Sequence, residues 1–207
     1  MLKWSVVVAF VLAVAQGCAV APLSNHVTAR TNGEGGSLLS AGSTIGVGDS
    51  GWLPSLKYSI GLSEDFDLGF QYEVIEYGAW AKYALINNKE EGFSLAALGG
   101  TGLSFEGYYF YGGPVVSYKM DWFEPYFISR FNYVKFPQPK ISIATIGEFS
   151  VAPGTYRYFQ HTLGFMAWPL DWLGMGLEAS VFGTVRSPFI LREKDRLLLS
   201  GNFSFRF

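Results

Sequence analysis

The chain has 207 residues, of which 49% are hydrophobic and 17% aromatic, while only 15% are charged, against about 25% in ordinary soluble domains. The formal net charge is -2, and no run of lysines or arginines provides the basic patch typical of nucleic-acid binding. A single cysteine excludes a disulfide framework within the chain. The 25 glycines and 9 prolines exclude a coiled coil, and the high aromatic content excludes a disordered chain. The composition therefore indicates one domain in a largely apolar environment.

The first 17 residues have the features of a signal peptide. Lys3 precedes an apolar run over residues 4–15, which is too short for a membrane-spanning helix but suits the core of a secretory signal. Two cleavage sites remain open. Cleavage after Ala15 fits the small-x-small rule, whereas AQGC resembles the lipobox of bacterial lipoproteins and would make lipid-modified Cys18 the first mature residue. We favour lipid attachment at Cys18, because an unpaired cysteine near the start of an exported chain has no other evident purpose.

Residues 18–36 are predicted to form a lipidated N-terminal tether. The stretch is rich in glycine, asparagine, serine and threonine, which is typical of a flexible linker. His26 falls within it, outside any predicted strand, and is expected to be solvated. The remaining residues, 37–207, are predicted to form a single barrel domain.

The pattern after residue 18 has a period of two. No apolar stretch approaches the roughly 20 residues of a transmembrane helix. In the segment DLGFQYEV (67–74), the apolar side chains share one face, while Asp67, Gln71 and Glu73 lie on the other. Such runs extend beyond the roughly 5 to 6 residues of an average soluble strand and match the roughly 9 to 11 that cross a bilayer. The sequence therefore predicts an all-β fold, a closed antiparallel up-and-down transmembrane barrel, in preference to a secreted β-sandwich.

Ten strands are predicted, and eight would remain if the weakest division, near residues 77–78, were misread. Short and long connections alternate, and in outer-membrane barrels the short turns and both termini face the periplasm. The predicted strands are 37–48, 52–62, 67–77, 79–86, 93–103, 109–119, 124–136, 154–168, 174–185 and 196–207.

The last predicted strand ends in three alternating phenylalanines, Phe203, Phe205 and Phe207. This ending resembles the C-terminal signal of bacterial outer-membrane β-barrel proteins, which their assembly machinery reads during insertion. The resemblance covers residues 37–207 in general pattern. It implies a place in the bacterial outer membrane, with membrane lipid and the barrel assembly machinery as partners.

Six charged side chains are predicted to project into the lumen and to pair with one another there. A ten-stranded barrel is only slightly wider than the eight-stranded kind, whose interior side chains just fill it. We therefore expect a largely plugged lumen and a structural, adhesive or surface-interaction role, with the external partner left open. A small channel for ions or small solutes is the alternative. The six residues are Lys57, Glu73, Lys82, Arg130, Glu178 and Arg206.

Enzymatic chemistry has the weakest support. His161 would need a serine two residues later to match the outer-membrane phospholipase and lipid A deacylase families, but Leu163 stands there. Glu178 on the neighbouring predicted strand could orient His161, yet no nucleophile is placed beside it. No metal-ligand spacing or dinucleotide motif is present, so no cofactor is expected.

Overall fold

The computed structural model describes residues 21–46, 52–73, 76–104, 107–136, 141–143, 147–149, 154–186 and 197–207. Ten strands close into an antiparallel barrel, and two short strands, β8 (Ile141–Ile143) and β9 (Gly147–Phe149), form a separate hairpin. The barrel strands, in chain order, are β1 (Ser37–Gly46), β2 (Trp52–Ser63), β3 (Phe66–Glu73), β4 (Glu76–Ile86), β5 (Gly92–Ser104), β6 (Gly107–Lys119), β7 (Phe123–Phe136), β10 (Gly154–Leu170), β11 (Leu173–Arg186) and β12 (Leu197–Arg206).

The prediction of a closed ten-stranded barrel is confirmed, with one boundary wrong. The predicted division near residues 77–78 falls inside β4, and β3 instead ends at Glu73. Gly78 pairs with Gln71 in the β3–β4 ladder, and the Tyr109 hydroxyl fills the space that a side chain at Gly78 would need. The glycine therefore serves close packing rather than a bend.

The two faces of the wall differ as the alternation predicts. In β3, Leu68, Phe70 and Tyr72 are exposed on the outside, while Asp67 and Glu73 are buried on the inside. Large exposed apolar side chains recur on the outer face of every barrel strand, as in barrels that face lipid. Among the described residues, no helix is long and apolar enough to cross a membrane.

The two ends of the barrel differ in their connections. At the short-connection end, two residues join β2 to β3 and two join β10 to β11. This end also holds the start of β1 and the end of β12, where Ser37 and Phe207 exchange two backbone hydrogen bonds of 3.0 Å. At the long-connection end, residues 137–153 join β7 to β10, and residues 187–196 join β11 to β12. The predicted alternation of short and long connections is wrong in part, because only two residues join β3 to β4 and β5 to β6 at this same end. The β8–β9 hairpin, which is not among the predicted strands, belongs to the connection between β7 and β10.

Inward-facing glycines make room for aromatic rings of the next strand. Gly69 is the register partner of Trp80, and Gly100 is the partner of Tyr111. A Cβ atom at Gly69 would lie closer than 3.0 Å to three ring atoms of Trp80. The Trp80 ring therefore occupies the space that a side chain at Gly69 would need.

We expect Gly69→Ala to lower the free energy of unfolding by about 1–3 kcal/mol, because the Trp80 ring must leave its position. Urea unfolding in lipid vesicles, followed by tryptophan fluorescence, measures the change. Gly99→Ala is the matched control, since the nearest atom to its new Cβ is the Tyr111 carbonyl oxygen at 3.6 Å. Equal destabilisation by the two variants would contradict the packing role of Gly69.

Candidate functional site

Residues 21–36, here called the lumen segment, run through the barrel interior and leave it at the short-connection end, where Glu34 and Gly35 are exposed. Ala21 and Ala29 have no exposed surface, and His26 is 3% exposed. The expectation that His26 is solvated is therefore wrong, and the described part of the predicted tether is held against the wall. The physical reason is that the segment's backbone groups find partners on inward-facing side chains.

Two carboxylates bind four consecutive backbone N–H groups of the lumen segment. Glu73 accepts hydrogen bonds from the N–H of Leu23 at 2.7 Å and of Ser24 at 3.1 Å. Glu178 accepts from the N–H of Asn25 at 2.9 Å and from that of His26. Each carboxylate uses both of its oxygens, so every one of these donors is satisfied by a charged acceptor.

Cationic and amide groups of the wall bind the carbonyl groups of the same segment. The Lys57 ammonium donates to the carbonyl oxygens of Ser24 and Asn25, the second at 2.9 Å. The Lys82 ammonium donates to the carbonyl oxygens of Thr28 and Arg30, and the Gln160 amide to that of Leu23 at 2.7 Å. The wall thus binds the backbone of the segment over most of its length, and it also binds side chains of the segment such as those of Asn25 and Asn32.

Ion pairs reinforce these contacts. Lys82 lies 3.1 Å from Asp67, and the Asp67 carboxylate also accepts from the N–H of Asn32 at 3.0 Å. Within the segment itself, Arg30 forms a two-pronged ion pair with Glu124 on β7. A buried charge without a partner is costly, so the Arg30–Glu124 pair, which joins the segment to the wall, resists withdrawal of the segment.

The six residues predicted to form an ion-pair network are only partly brought together. Lys57 and Glu73 form an ion pair at 3.9 Å, and the pair is completed by their shared contacts with the lumen segment. Arg130 donates to the Gln160 side-chain oxygen at 2.6 Å and lies over the Tyr111 ring.

The other residues of the predicted ion-pair network contact groups outside it. Lys82 pairs with Asp67, and Glu178 accepts from the Tyr126 hydroxyl at 2.7 Å. Arg206 stands apart at the short-connection end, where its guanidinium lies 3.9 Å from the centre of the Trp168 ring.

The site prediction omits several wall residues that hold the segment. Glu124 binds Arg30, the Ser117 hydroxyl accepts from the N–H of Ala29 at 3.2 Å, and Tyr158 accepts from that of Ala21 at 3.2 Å. The same period-two alternation places all three on the inner face, which is the signal by which sequence reasoning could find them. Their partner was not apparent, because Ser117 and Tyr158 bind backbone groups that every residue type carries, and Arg30, the partner of Glu124, lies in a segment predicted to be a solvated tether.

Glu76 is a buried acid that does not contribute to this recognition. It is 3% exposed on β4, directly across the ladder from Glu73. Neither of its carboxylate oxygens has a hydrogen-bond partner in the described part of the lumen segment. Burial on the inner wall is therefore not sufficient for contact with the lumen segment.

A cavity of about 40 Å³ remains beside the lumen segment toward the short-connection end, between His26, Lys57, Trp80 and Arg206. A space of this size holds a few water molecules. A second gap, between Asn25, Gln71, Tyr111 and Arg130, is too narrow to hold a water molecule.

His161 lies on the outer face of β10. Its ring is stacked between Phe127 and Phe159, with ring centres 6.3 and 6.2 Å away, and its Nδ1 lies 3.0 Å from the Ser129 hydroxyl. The hypothesis that Glu178 orients this ring is wrong, because Glu178 projects into the lumen on the opposite face. Within the described ranges, no carboxylate pairs with His161, and no group of three or more metal-ligating side chains is present.

The remaining predicted sites are placed as follows. Phe203 and Phe207 are exposed on the outer face, and Phe205 stacks on Trp172 at a ring distance of 6.4 Å. The strand that carries them, β12, closes the barrel against β1. Cys18 and the predicted signal peptide lie outside the described residues, and the role of the phenylalanines in assembly stays a prediction.

Comparison with known proteins gives structural neighbours but no sequence relative. No family model matches the chain, and no curated protein is significantly similar to it. The N-terminal β-barrel domain of Pseudomonas aeruginosa OprF is 11% identical, with 84% of this chain and 99% of that chain covered and a TM-score of 0.41. The P. aeruginosa outer membrane protein OprG is 11% identical, with 87% and 99% covered and a TM-score of 0.37. The NanC porin is 8% identical, with 82% and 98% covered and a TM-score of 0.49. Similarity at this level says nothing about what the present chain binds or transports.

Proposed function

We propose that the protein is a bacterial outer-membrane β-barrel whose lumen is closed by its own N-terminal segment, and that its role is structural or surface-presenting rather than transport. The observation that carries this proposal is the binding of four consecutive backbone N–H groups, from Leu23 to His26, by Glu73 and Glu178. In a mobile tether, consecutive backbone N–H groups would not each be bound by an acceptor on the barrel wall. The contacts make the segment an integral part of the barrel interior.

The residues on the outer face of the barrel support a location in the outer membrane. A closed barrel satisfies every backbone group of its wall, which is the condition for non-helical structure in lipid. Tryptophans such as Trp122 and Trp172 are exposed at the short-connection end, and Tyr77 is exposed near the other end, as expected of side chains at two membrane interfaces. In this proposal, outer-membrane lipid surrounds the wall, the assembly machinery inserts it through Phe203, Phe205 and Phe207, and Cys18 carries a lipid.

A gated channel is the second candidate, and one observation favours it. The inner face remains polar beneath the lumen segment, with Ser59, Gln71, Asn132 and Asn202 all buried there. Water would wet such a wall if the segment withdrew. The gated-channel hypothesis therefore requires the lumen segment to leave the barrel interior, whereas the closed-barrel hypothesis requires it to remain there.

Planar-bilayer recording of the full, refolded chain separates the two candidates. We expect no current steps, because the lumen segment and its partners occupy the axis. Heat-modifiable migration on a gel shows that the recorded protein is folded, and an open porin in the same bilayer shows that insertion is detected. Reproducible steps from the folded native chain would overturn the closed reading and favour the gated channel.

A further inference from the structure

The contacts of the lumen segment define the direction in which the chain runs through the barrel. At one end, the Gly36 carbonyl accepts from the N–H of Gly61 at 2.8 Å, and the next residue begins β1 at the short-connection end. At the other end, Leu23 is bound by Glu73, the last residue of β3, and Ala21 by Tyr158. Followed backward from β1, the chain enters the lumen at the short-connection end and runs toward the long-connection end.

Ala21 lies much nearer to the long-connection end. Its partner Tyr158 is four residues from the start of β10 at Gly154 and twelve from its end at Leu170. At about 3.3 Å per residue, these intervals are roughly 13 Å and 40 Å of strand. Because strands of such barrels tilt by roughly 35–45°, the shorter interval is about 10 Å along the barrel axis, which is about as far as the three residues 18–20 can span. The lumen behind Ala21 is already filled by the segment itself, so only the long-connection end is within their reach.

We propose that the barrel is a conduit for its own amino terminus, which it delivers to the long-connection end, opposite the C-terminal Phe207. The inference rests on the proposed closure of the lumen by residues 21–36. It replaces the expectation that both termini face the periplasm: the C-terminus stays at the short-connection end, while the mature N-terminus leaves on the other side. A lipid on Cys18 would then anchor in the leaflet at the long-connection end.

Two epitope tags in the full chain test this topology. One is inserted after Ala19, which leaves both candidate cleavage sites intact, and the other between Lys89 and Glu90 in the β4–β5 connection at the short-connection end. Antibody binding is compared between intact cells and cells with a permeabilised outer membrane. We expect the tags to respond oppositely, with one bound on intact cells and the other only after permeabilisation. The same response from both tags would overturn the proposal, whichever end of the barrel faces outward.

A tag that displaces the lumen segment is recognised because the tagged barrel then conducts in a planar bilayer. For that outcome, two single-cysteine chains replace the tags: Cys18→Ser with Val20→Cys, and Cys18→Ser with Asn88→Cys. A maleimide on a polymer too large to cross the outer membrane should modify one of them at least tenfold faster on intact cells. Equal rates would overturn the threaded topology. A silent native barrel with equal rates would refute the threading alone, whereas a conducting native barrel would refute the closure on which it rests.

Discussion

Deleting residues 21–32 is expected to convert a silent barrel into a conducting one, with current steps in most recordings. The deletion removes an extended peptide from the axis and leaves a tunnel of about that width, lined by polar side chains that no longer have partners. Eight-stranded barrels are closed by their own side chains, but here the ten-stranded wall leaves room that the segment fills. The lysines and carboxylates freed by the deletion would be hydrated by the entering water, so the barrel itself should still form.

Adding the missing peptide back provides the control for this variant. A synthetic peptide with the sequence of residues 21–32 should reduce the open time of the deleted barrel when it is added to the solution, because the wall bonds to its backbone. The same peptide with N-methylated backbone nitrogens at Leu23, Ser24, Asn25 and His26 keeps the side chains but loses the four donors, and it should block at least tenfold less well. A silent deletion variant that is correctly folded would show that the wall alone closes the lumen.

The double variant Glu73→Gln with Glu178→Gln is expected to loosen the segment in an otherwise complete chain. A carboxamide offers one acceptor oxygen where the carboxylate offers two, and its NH₂ group would face a backbone donor. Two of the four N–H groups would lose their acceptors, each at about 1–3 kcal/mol. We expect a lower urea midpoint in lipid vesicles and the appearance of brief current steps.

Glu76→Gln is the matched comparison for this variant. Glu76 has the same chemistry, comparable burial and a place directly opposite Glu73, but no hydrogen bond to the lumen segment. Its replacement should leave the bilayer silent. If the double variant behaves like Glu76→Gln in both measurements, the carboxylates are not what holds the segment.

The wall could be predicted from sequence because its environment alternates residue by residue. Lipid on one side and a polar interior on the other impose a period of two, so Leu68, Phe70 and Tyr72 reveal the orientation of the whole of β3. The strand prediction failed at Gly78, because a glycine within a strand resembles a turn signal in the sequence. Its actual function, room for the Tyr109 hydroxyl, depends on a strand 31 positions later in the chain and leaves no local trace.

For the candidate site, the sequence predicts which side chains face the lumen but not which groups they bind. The inward direction of Lys57, Glu73 and Glu178 follows from the same alternation, but the groups they bind do not. Their main partners are backbone atoms of residues 23–26, and every residue type carries those atoms. Composition instead suggested a flexible linker, because the small polar residues that suit a tether also fit a narrow lumen. One clue was available: a small barrel with this many inward charges needs more partners than its own wall supplies.

The position of the lumen segment also constrains how the protein folds. The contact between Asn25 and Glu178 joins residues 153 positions apart, and β1 meets β12 across nearly the whole length of the chain. Contacts between such distant parts of a sequence form slowly, because the intervening chain must be ordered first. The segment leads directly into β1, so it is already beside the first strand while the β1–β12 seam is open, and the strands can gather around it. The first part of the barrel to be synthesised would then wait in place until the last strand arrives, and sealing of the seam would trap it.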